Sequence, residues 1–234
     1  HELKGKAEPV RIYRALAAHR QRQAANPIAG VIRTSLLVGR DVELAAIQKW
    51  VDRLAHGEGG VVTVVGEAGL GKSRLAAEAV RLAREHGLDA LEGSCLSFDR
   101  KISHWPIREA MRRHFGIAEE DPDEVAWGRL RQELSALFAQ DVDDVLPYLG
   151  AMLALRAQPE LADRTRYLDG LAMGQQVFRS MLLLFERMAQ RRGVLVAFED
   201  WQWADDSSVE LLSHLLVLAS GSPILFFITS RPVE

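Results

Sequence analysis

The chain has 234 residues, 48% of them hydrophobic, which is enough to bury one large core or two modest ones. Its formal net charge of −3 lacks the basic excess of a nucleic-acid-binding protein. A single cysteine, Cys95, excludes an internal disulfide framework and fits the reducing cytoplasm, while the longest apolar runs are too short to cross a bilayer.

The first 35 residues divide into a strand pattern and a linker pattern. Residues 8–16 alternate in polarity, which predicts a short strand. Residues 17–35 show little apolar periodicity and carry Asn26-Pro27 and Gly30, which is typical of a linker. The chain opens on His1 without a signal-peptide pattern, and we expect it to be part of a longer protein.

From residue 36 onward, strand and helix patterns alternate. Apolar periodicity predicts helices over residues 41–54 and 75–86, with a buried strand over residues 61–65 between them. A weaker strand pattern covers residues 90–92. Because strands and helices alternate, we expect a parallel sheet with helices on both faces.

The second half of the chain predicts a long helical insert followed by two more strands. Residues 98–192 are mostly helical in pattern, with one helix starting at Pro106 and another capped by residues 121–124. Buried strands are predicted over residues 194–198 and 224–229, with a capping box at residues 207–210 between them. The stretch between the second and third strands far exceeds a simple crossover, so it should form a helical elaboration.

Residues 66–73 read GEAGLGKS and fit the pattern G-x-x-x-x-G-K-[ST], with a strand before it and a helix after it. In such a loop the bare backbone N–H groups and the helix N-terminus bind phosphate oxygens. We expect Lys72 to reach the β- and γ-phosphates of ATP and Ser73 to place its hydroxyl on Mg²⁺. A plain glycine turn is the structural alternative. The predicted contacts are Gly66, Glu67, Ala68, Gly69, Leu70, Gly71, Lys72, Ser73 and Arg74.

Two acids, Glu199 and Asp200, follow the apolar strand at residues 194–198. One carboxylate would support Mg²⁺, usually through water, and the other would polarise an attacking water. The usual order makes Glu199 the metal residue and Asp200 the base, although the reverse assignment stays open. Lys72, Glu199 and Asp200 are thus the candidate catalytic residues, and Ser73 joins the two acids as a metal residue. Two acids opening a polar turn are the alternative.

The last predicted strand ends on Thr229, Ser230 and Arg231. If this strand lies beside the strand that carries the two acids, these side chains point toward the γ-phosphate. The planar guanidinium of Arg231 suits recognition of a phosphate and would detect whether the γ-phosphate is present. A solvated arginine before Pro232 is the alternative.

Four segments together resemble the STAND branch of AAA-type P-loop ATPases: LVGRDVEL at residues 37–44, the glycine-rich loop, FEDWQWADDSSVELL and ITSR. The resemblance implies an α/β fold of the ASCE type of P-loop NTPase, running from residue 36 to 234 and truncated before its helical lid. It also implies that Val38, Gly39 and Arg40 lie against the adenine and ribose. Gln202 stands where a histidine is common in that family, a difference that we expect to have no consequence.

The opening HELKGKAEPVRIYRAL resembles the final strand of class III nucleotide cyclase domains, on Leu3-Lys4-Gly5, Glu8-Pro9-Val10 and Tyr13. This resemblance implies that residues 1–16 end a cyclase-like catalytic domain and that residues 17–35 link it to the ATPase.

Together the two resemblances imply an ATP-binding, slowly hydrolysing regulatory switch in an adenylate cyclase. The alternative is the same module in a LuxR-like transcriptional regulator with a C-terminal DNA-binding domain. A P-loop kinase is disfavoured by the VGR and ITSR segments. The implied partners are a nucleotide, the cyclase domain and a downstream helical or repeat region of the same chain. A homo-oligomer is allowed, and no direct nucleic-acid contact is expected from these residues.

Overall fold

The computed structural model of the protein describes residues 39–95 and 102–232. The chain divides into two units, His1–Leu36 and Leu37–Glu234, and every described residue belongs to the second. The strand predicted over residues 8–16, the linker over residues 17–35 and the candidate contact Val38 therefore lie outside the described residues.

A four-stranded parallel sheet forms the centre of the described unit. Its strands are β1 (Gly60–Val65), β2 (Asp89–Ser94), β3 (Val194–Glu199) and β4 (Ile224–Ser230). Their spatial order is β1-β4-β3-β2, so β4 lies between the strand that leads into the glycine-rich loop and the strand that leads into the two acids. The predicted α/β fold of the P-loop NTPase type is confirmed, and the strand predicted over residues 90–92 extends over the whole of β2.

Helices connect and flank these strands, and several short 3₁₀ turns link them. The 3₁₀ turns are Ala139–Asp141, Pro159–Leu161, Trp201–Trp203 and Leu216–Ser220. Among the described residues the α-helices are α1 (Asp41–Ala55), α2 (Lys72–Glu85), α3 (Trp105–His114), α4 (Asp123–Phe138), α5 (Val142–Met152), α6 (Ala162–Thr165), α7 (Gly170–Arg191) and α8 (Asp206–Leu215).

The two central strands are buried on both faces because their side chains alternate between two hydrophobic clusters. Leu195 and Phe227 point to the face that α1 and α2 cover. Phe198 and Phe226 point to the opposite face, where they pack with α8 and the helical insert. Burying a side chain of this size contributes on the order of 2–3 kcal/mol. Apolar residues at nearly every position of β3 and β4 therefore place these strands in the middle of the sheet.

The strand β1 is less buried than its sequence predicted. It forms one edge of the sheet, and its residues alternate between half-buried and exposed. Val62 and Val64 pack on the cluster formed with α1 and α2, whereas Val61 and Val65 are 42% and 59% exposed. The prediction of a buried strand was wrong because an apolar run does not reveal which strand stands at the edge of a sheet.

The predicted helical insert is confirmed between β2 and β3, where α3, α4, α5 and α7 share one large hydrophobic cluster. Two close approaches depend on glycine. A Cβ on Gly93 would lie 2.0 Å from the carbonyl oxygen of Pro106, so α3 can rest directly on β2. A Cβ on Gly150 would lie 2.0 Å from the Trp127 ring, which fixes the contact between α4 and α5.

The helix starts are only partly as predicted. Pro106 lies in the first turn of α3, as expected. The helix α4 has Pro122 at its N-cap and no side-chain cap, because the Asp121 carboxylate accepts from the Ala118 N–H and from Arg129, each at 2.6 Å. The capping box at residues 207–210 was also wrong, since the α8 N-cap is Asp205.

No helix within residues 39–95 and 102–232 is both long enough and apolar enough to span a membrane.

Candidate nucleotide-binding site

The glycine-rich loop leaves the carboxyl end of β1 and runs into the first turn of α2. Gly69 and Gly71 have φ angles of 82° and 87°, in the left-handed region where a side chain is strained. The outer surface of the loop, from residue 67 to residue 70, is exposed. These two glycines let the backbone turn sharply into the helix, so that its first N–H groups are left without partners inside the helix.

Lys72 is the first residue of α2 and is only 8% exposed. Its ammonium donates to the carbonyl oxygens of Gly66 at 2.7 Å and Glu67 at 2.9 Å, so the side chain folds back along the loop. The buried charge therefore lies inside the loop, where it can serve a phosphate bound to the surrounding N–H groups. Ser73 is exposed at the next position of the helix.

The sheet register places the end of β4 beside the start of the loop. Val65 pairs with Ser230, and the N–H of Gly66 donates to the Ser230 carbonyl at 3.2 Å. Since β4 pairs with β3 on its other side, the loop, residues 229–231 and the two acids all lie at the carboxyl edge of the sheet. Ligands of open α/β sheets bind at this edge.

The two acids mark the place where β3 ends. Glu199 is its last residue, half-buried, and its carbonyl accepts from the Cys95 N–H at 3.0 Å. Asp200 follows with a φ of 54°, a left-handed conformation that is uncommon outside glycine and is tolerated best by Asp and Asn. Its N–H donates to Thr229 Oγ1 at 3.1 Å, which ties the end of β3 to β4.

A glutamine connects the second acid to the end of β4. Gln202 Nε2 donates to Asp200 Oδ1 at 3.1 Å, and Gln202 Oε1 accepts from the Arg231 N–H at 3.0 Å. The Arg231 side chain is exposed at the same edge. The structure thus links the Asp200 carboxylate to the Arg231 backbone through Gln202, a residue to which the sequence analysis gave no role in the site.

Asp205 is a second important residue that sequence reasoning missed. Its carboxylate caps α8 by accepting from the Ser208 N–H at 2.9 Å, and it also accepts from the Ser207 and Ser208 hydroxyls. The N–H of His104 donates to it at 3.1 Å, which joins the start of α3 to the start of α8. Burial opposes the charged form, yet these hydrogen bonds together keep the pKa of Asp205 below its usual value. The pattern D-x-x-S at residues 205–208 was the sequence signal for this cap.

The segment before α1 reaches the loop through one side chain. Arg40 Nη2 donates to the Leu70 carbonyl at 2.9 Å, and its other guanidinium nitrogen pairs with Glu43. The hydrogen bond from Arg40 lowers the pKa of Glu43. Of the three residues expected near adenine and ribose, Arg40 therefore contacts the glycine-rich loop, and Gly39 lies next to it with a φ of 71°.

The donor set at this edge fits Mg²⁺ bound together with a nucleotide rather than in a protein cage. Within the described residues there is no group of three or more His, Cys, Asp or Glu side chains gathered to hold a metal. Magnesium in nucleotide sites is bound by only one or two protein oxygens, while phosphates and waters complete its octahedron. The Ser73 hydroxyl and the carboxylates that follow β3 are oxygen ligands of this kind.

Comparison with known proteins now identifies this arrangement. The sequence profile of the AAA ATPase domain matches residues 36–228. The chain belongs to the AAA ATPase domain family. An uncharacterized protein of Rhizobium meliloti (strain 1021) is 30% identical to it over 245 aligned residues, which cover 99% of this chain and 22% of that protein. The chain thus spans about a fifth of the length of this relative.

Family membership makes this AAA ATPase domain a nucleotide-binding module with the P-loop NTPase fold. The matched range contains the described candidate residues of the segment before α1, the glycine-rich loop and the two acids, and it ends three positions before Arg231. Within the described part of the domain, the loop, the two acids and the end of β4 lie at one edge of one sheet.

Proposed function

We propose that this AAA ATPase domain binds ATP with Mg²⁺ at the carboxyl edge of its sheet and acts as a nucleotide-dependent switch of the STAND kind. The observation that supports this most strongly is that three features lie at one edge of the sheet: the loop that encloses the Lys72 ammonium, the end of β3 with Glu199 and then Asp200, and Arg231 at the end of β4. A binding surface for a triphosphate needs positive charge and N–H donors, and metal-assisted hydrolysis needs carboxylates nearby.

The loop supplies the phosphate-binding groups. The N–H groups at the start of α2 and the positive end of the helix attract the phosphates, and Lys72 adds a full charge where the β- and γ-phosphates would lie. Ser73 would offer its hydroxyl to Mg²⁺, which neutralises phosphate charge when it is bound. Gly66, Glu67, Ala68, Gly69, Leu70, Gly71 and Arg74 complete the proposed contacts through the loop.

The two acids divide the remaining chemistry. We assign Glu199 to support of the metal and Asp200 to activation of the attacking water. The position of Asp200 fits this role, because its N–H bond to Thr229 and its carboxylate bond to Gln202 hold the group in place before any ligand arrives. The reverse assignment exchanges the effects expected from substituting the two acids.

Arg231 gives the domain a means of distinguishing ATP from ADP. It stands at the end of β4, next to the strand that feeds the loop, and its guanidinium is exposed. Only ATP provides a γ-phosphate for a bidentate contact, so this residue would stabilise the ATP state and not the ADP state. A switch requires such a difference in contacts between its two states.

The first residues of the chain suggest which activity the switch would regulate. Its likeness to the last strand of a class III cyclase favours an adenylate cyclase as the parent protein, with residues 1–16 ending the cyclase domain and residues 17–35 as the linker. The Rhizobium relative, of which the chain covers 22%, is long enough to hold further domains. We propose that the parent likewise carries a catalytic domain before the ATPase and a helical or repeat region after it.

Calorimetry of the full-length parent protein tests the binding site. Lys72→Ala should weaken Mg-ATP binding by about tenfold or more, because a charge-assisted hydrogen bond to phosphate is lost. Lys49→Ala, which removes an exposed lysine on α1, is the matched control and should bind as the parent does. If the Lys72 variant and the parent bound Mg-ATP with equal affinity, the assignment of the glycine-rich loop to the binding site would be wrong.

Cyclic AMP synthesis by the full-length parent tests the switch. At saturating ATP, Arg231→Ala should keep basal cyclic AMP synthesis, but the rate should no longer depend on whether the glycine-rich loop is occupied. The Lys72→Ala variant, in which binding to that loop is weakened, provides the comparison. Arg131→Ala, at an exposed ion pair with Asp143 in the insert, is the control. A parent that makes no cyclic AMP would overturn the cyclase assignment, and parental rates in both the Lys72 and Arg231 variants would overturn the regulatory role.

A further inference from the structure

We propose that Gln202 is a positioning residue that couples the Arg231 backbone to the Asp200 carboxylate, so that nucleotide state at the end of β4 controls the group that activates water. This inference rests on the proposed function of the site. Its basis is the pair of hydrogen bonds made by one amide, to Asp200 Oδ1 at 3.1 Å and from the Arg231 N–H at 3.0 Å.

The chemistry of the two partners determines the orientation of the amide. The backbone N–H of Arg231 can only donate, so it requires the oxygen of Gln202. An ionised Asp200 can only accept, so it requires the NH₂ group. A flipped amide would place donor against donor and acceptor against acceptor, and therefore only one orientation satisfies both neighbours.

The local fold places position 202 between the ends of the two strands. Asp200 adopts its left-handed φ and begins the 3₁₀ turn Trp201–Trp203, which the Trp203 N–H closes on the Asp200 carbonyl at 2.9 Å. The Trp201 ring packs on Phe198, with centroids 4.9 Å apart, and anchors the turn to the core. Gln202 lies in the middle of this turn, and its side chain reaches the Arg231 N–H at the end of β4.

Two side-chain contacts thus join β3 to β4 where the backbone pairing stops. Thr229 Oγ1 holds the backbone of Asp200, and Gln202 holds its carboxylate. The first contact starts from a residue 1% exposed within β4. The second starts from the exposed Arg231, beyond the last residue of the strand. A movement of the Arg231 backbone would therefore act on the carboxylate while the backbone of Asp200 stays fixed.

Three substitutions separate this coupling from a merely structural role. Gln202→Leu removes donor and acceptor. Gln202→Glu keeps an acceptor for Arg231 but sets a second negative charge beside Asp200. Gln202→His offers one donor and one acceptor nitrogen as long as the imidazole is neutral, so it should support the same two contacts.

The readouts are single-turnover ATP hydrolysis and ATP affinity, measured on the full-length parent between pH 5.5 and 8. Gln202→Leu and Gln202→Glu should lower the hydrolysis rate by about tenfold while ATP affinity stays within about twofold. Gln202→His should hydrolyse ATP at a near-parental rate at pH 8. It should then lose activity relative to the parent as the pH falls and the imidazole takes up a proton, because an imidazolium cannot accept from the Arg231 N–H.

Gln175→Leu, at an exposed position on α7, controls for the loss of a glutamine and should behave as the parent. Should Gln202→Leu fail to fold in a thermal melt, the Glu and His variants carry the test. Parental hydrolysis rates in Gln202→Leu and Gln202→Glu, or a Gln202→His variant whose pH profile follows the parent, would overturn the coupling while leaving the ATP site intact. A parent that does not bind ATP would overturn the proposed function, and the coupling with it.

Discussion

The two halves of the candidate site are held in place in different ways. The glycine-rich loop follows β1, an edge strand with one covered face, and it is fixed by backbone and long side chains: Gly66 to Ser230, Lys72 to its own loop, and Arg40 to Leu70. The acids follow β3, which is buried on both faces. Asp200 is held by two short side chains, because its N–H donates to Thr229 Oγ1 and its carboxylate accepts from Gln202.

This difference matches what the proposed function requires of each half. A phosphate that is bound by backbone N–H groups and one ammonium tolerates small shifts of the loop, since several donors share the charge. Proton transfer demands a carboxylate within hydrogen-bonding distance of its water, where an error of about 1 Å is costly. Ligand-binding loops also tend to come from the less stable parts of a fold. We therefore expect the binding half to be more adaptable than the catalytic half.

The largest expected effect concerns the two acids. Asp200→Asn should leave Mg-ATP affinity within about twofold and lower turnover by about 10²–10⁴-fold, because the amide cannot take a proton from water. Glu199→Gln should instead weaken the dependence of ATP binding on Mg²⁺. Magnesium titrations by calorimetry and single-turnover hydrolysis measure the two effects.

The reverse pattern, with Mg²⁺ dependence lost in Asp200→Asn and turnover lost in Glu199→Gln, would exchange the two roles. Identical losses in both variants would contradict any division of labour between the acids. Asp206→Asn, in the first turn of α8, is a control with the same change of charge nearby in sequence.

A second comparison tests the rigidity of the two strands directly. Phe227 on β4 is 1% exposed, whereas Val65 on the neighbouring β1 is 59% exposed. Phe227→Ala should lower the free energy of unfolding by about 3–5 kcal/mol, since it removes a buried ring and leaves a cavity. Val65→Ala should cost less than about 1 kcal/mol.

Urea denaturation of the two variants, with the slope of the unfolding curve checked for constancy, measures this difference. Similar losses in both would mean that the outer face of β1 is covered in the full-length protein. The comparison of a rigid and an adaptable half would then have to be abandoned.

The sequence predicted most of the fold because the strongest patterns were local. The loop at residues 66–73 needs a strand before it and a helix after it, and the apolar runs of β3 and β4 are typical of strands buried on both faces. The exposed face of β1 could not be predicted, because the position of a strand within a sheet depends on contacts far apart in the chain.

The hydrogen bonds within the site could not be predicted from local sequence patterns either, because they also join residues that are far apart in the chain. Gln202 contacts Arg231 across 29 positions, and Asp205 contacts His104 across 101 positions. No helix or strand periodicity in the sequence predicts either contact. The misplaced capping box shows a smaller limit: Asp205 and Ser207 are both good N-cap residues, and only the backbone decides which of them caps α8.

A third prediction concerns Asp205, which caps α8 and joins its start to the start of α3. Asp205→Ala should lower the free energy of unfolding by about 1–2 kcal/mol at neutral pH, because α8 loses its N-cap. Asp205→Asn keeps a capping oxygen and should cost less. The pKa of this carboxyl is below its usual value, so its charged form stabilises the fold above about pH 4 and that contribution disappears as pH falls through the folded-state pKa.

Denaturation curves from about pH 6 to pH 3 should therefore show the gap between the parent and Asp205→Asn narrowing as the pH decreases, since the amide does not titrate. A gap that stays constant with pH would mean that the charge of Asp205 adds nothing to its role as a hydrogen-bond acceptor.

The smallest expected effect belongs to the adaptable half and decides what Arg40 does. The Arg40 guanidinium donates to the Leu70 carbonyl, whereas the resemblance of residues 37–44 to the STAND family implies that Arg40 lies near adenine and ribose. If the contact with the loop is what matters, Arg40→Ala should weaken ATP and inorganic triphosphate alike, by about two- to fivefold, because an exposed hydrogen bond contributes little. If Arg40 contacts the nucleoside, only ATP should bind more weakly. Arg53→Ala is the matched control, because it removes an arginine of α1 that forms an exposed ion pair with Glu58. Calorimetry with both ligands separates the two outcomes, and an effect much larger than fivefold on both would show that the loop depends on Arg40 for its shape, so that the binding half is less adaptable than its edge position suggests.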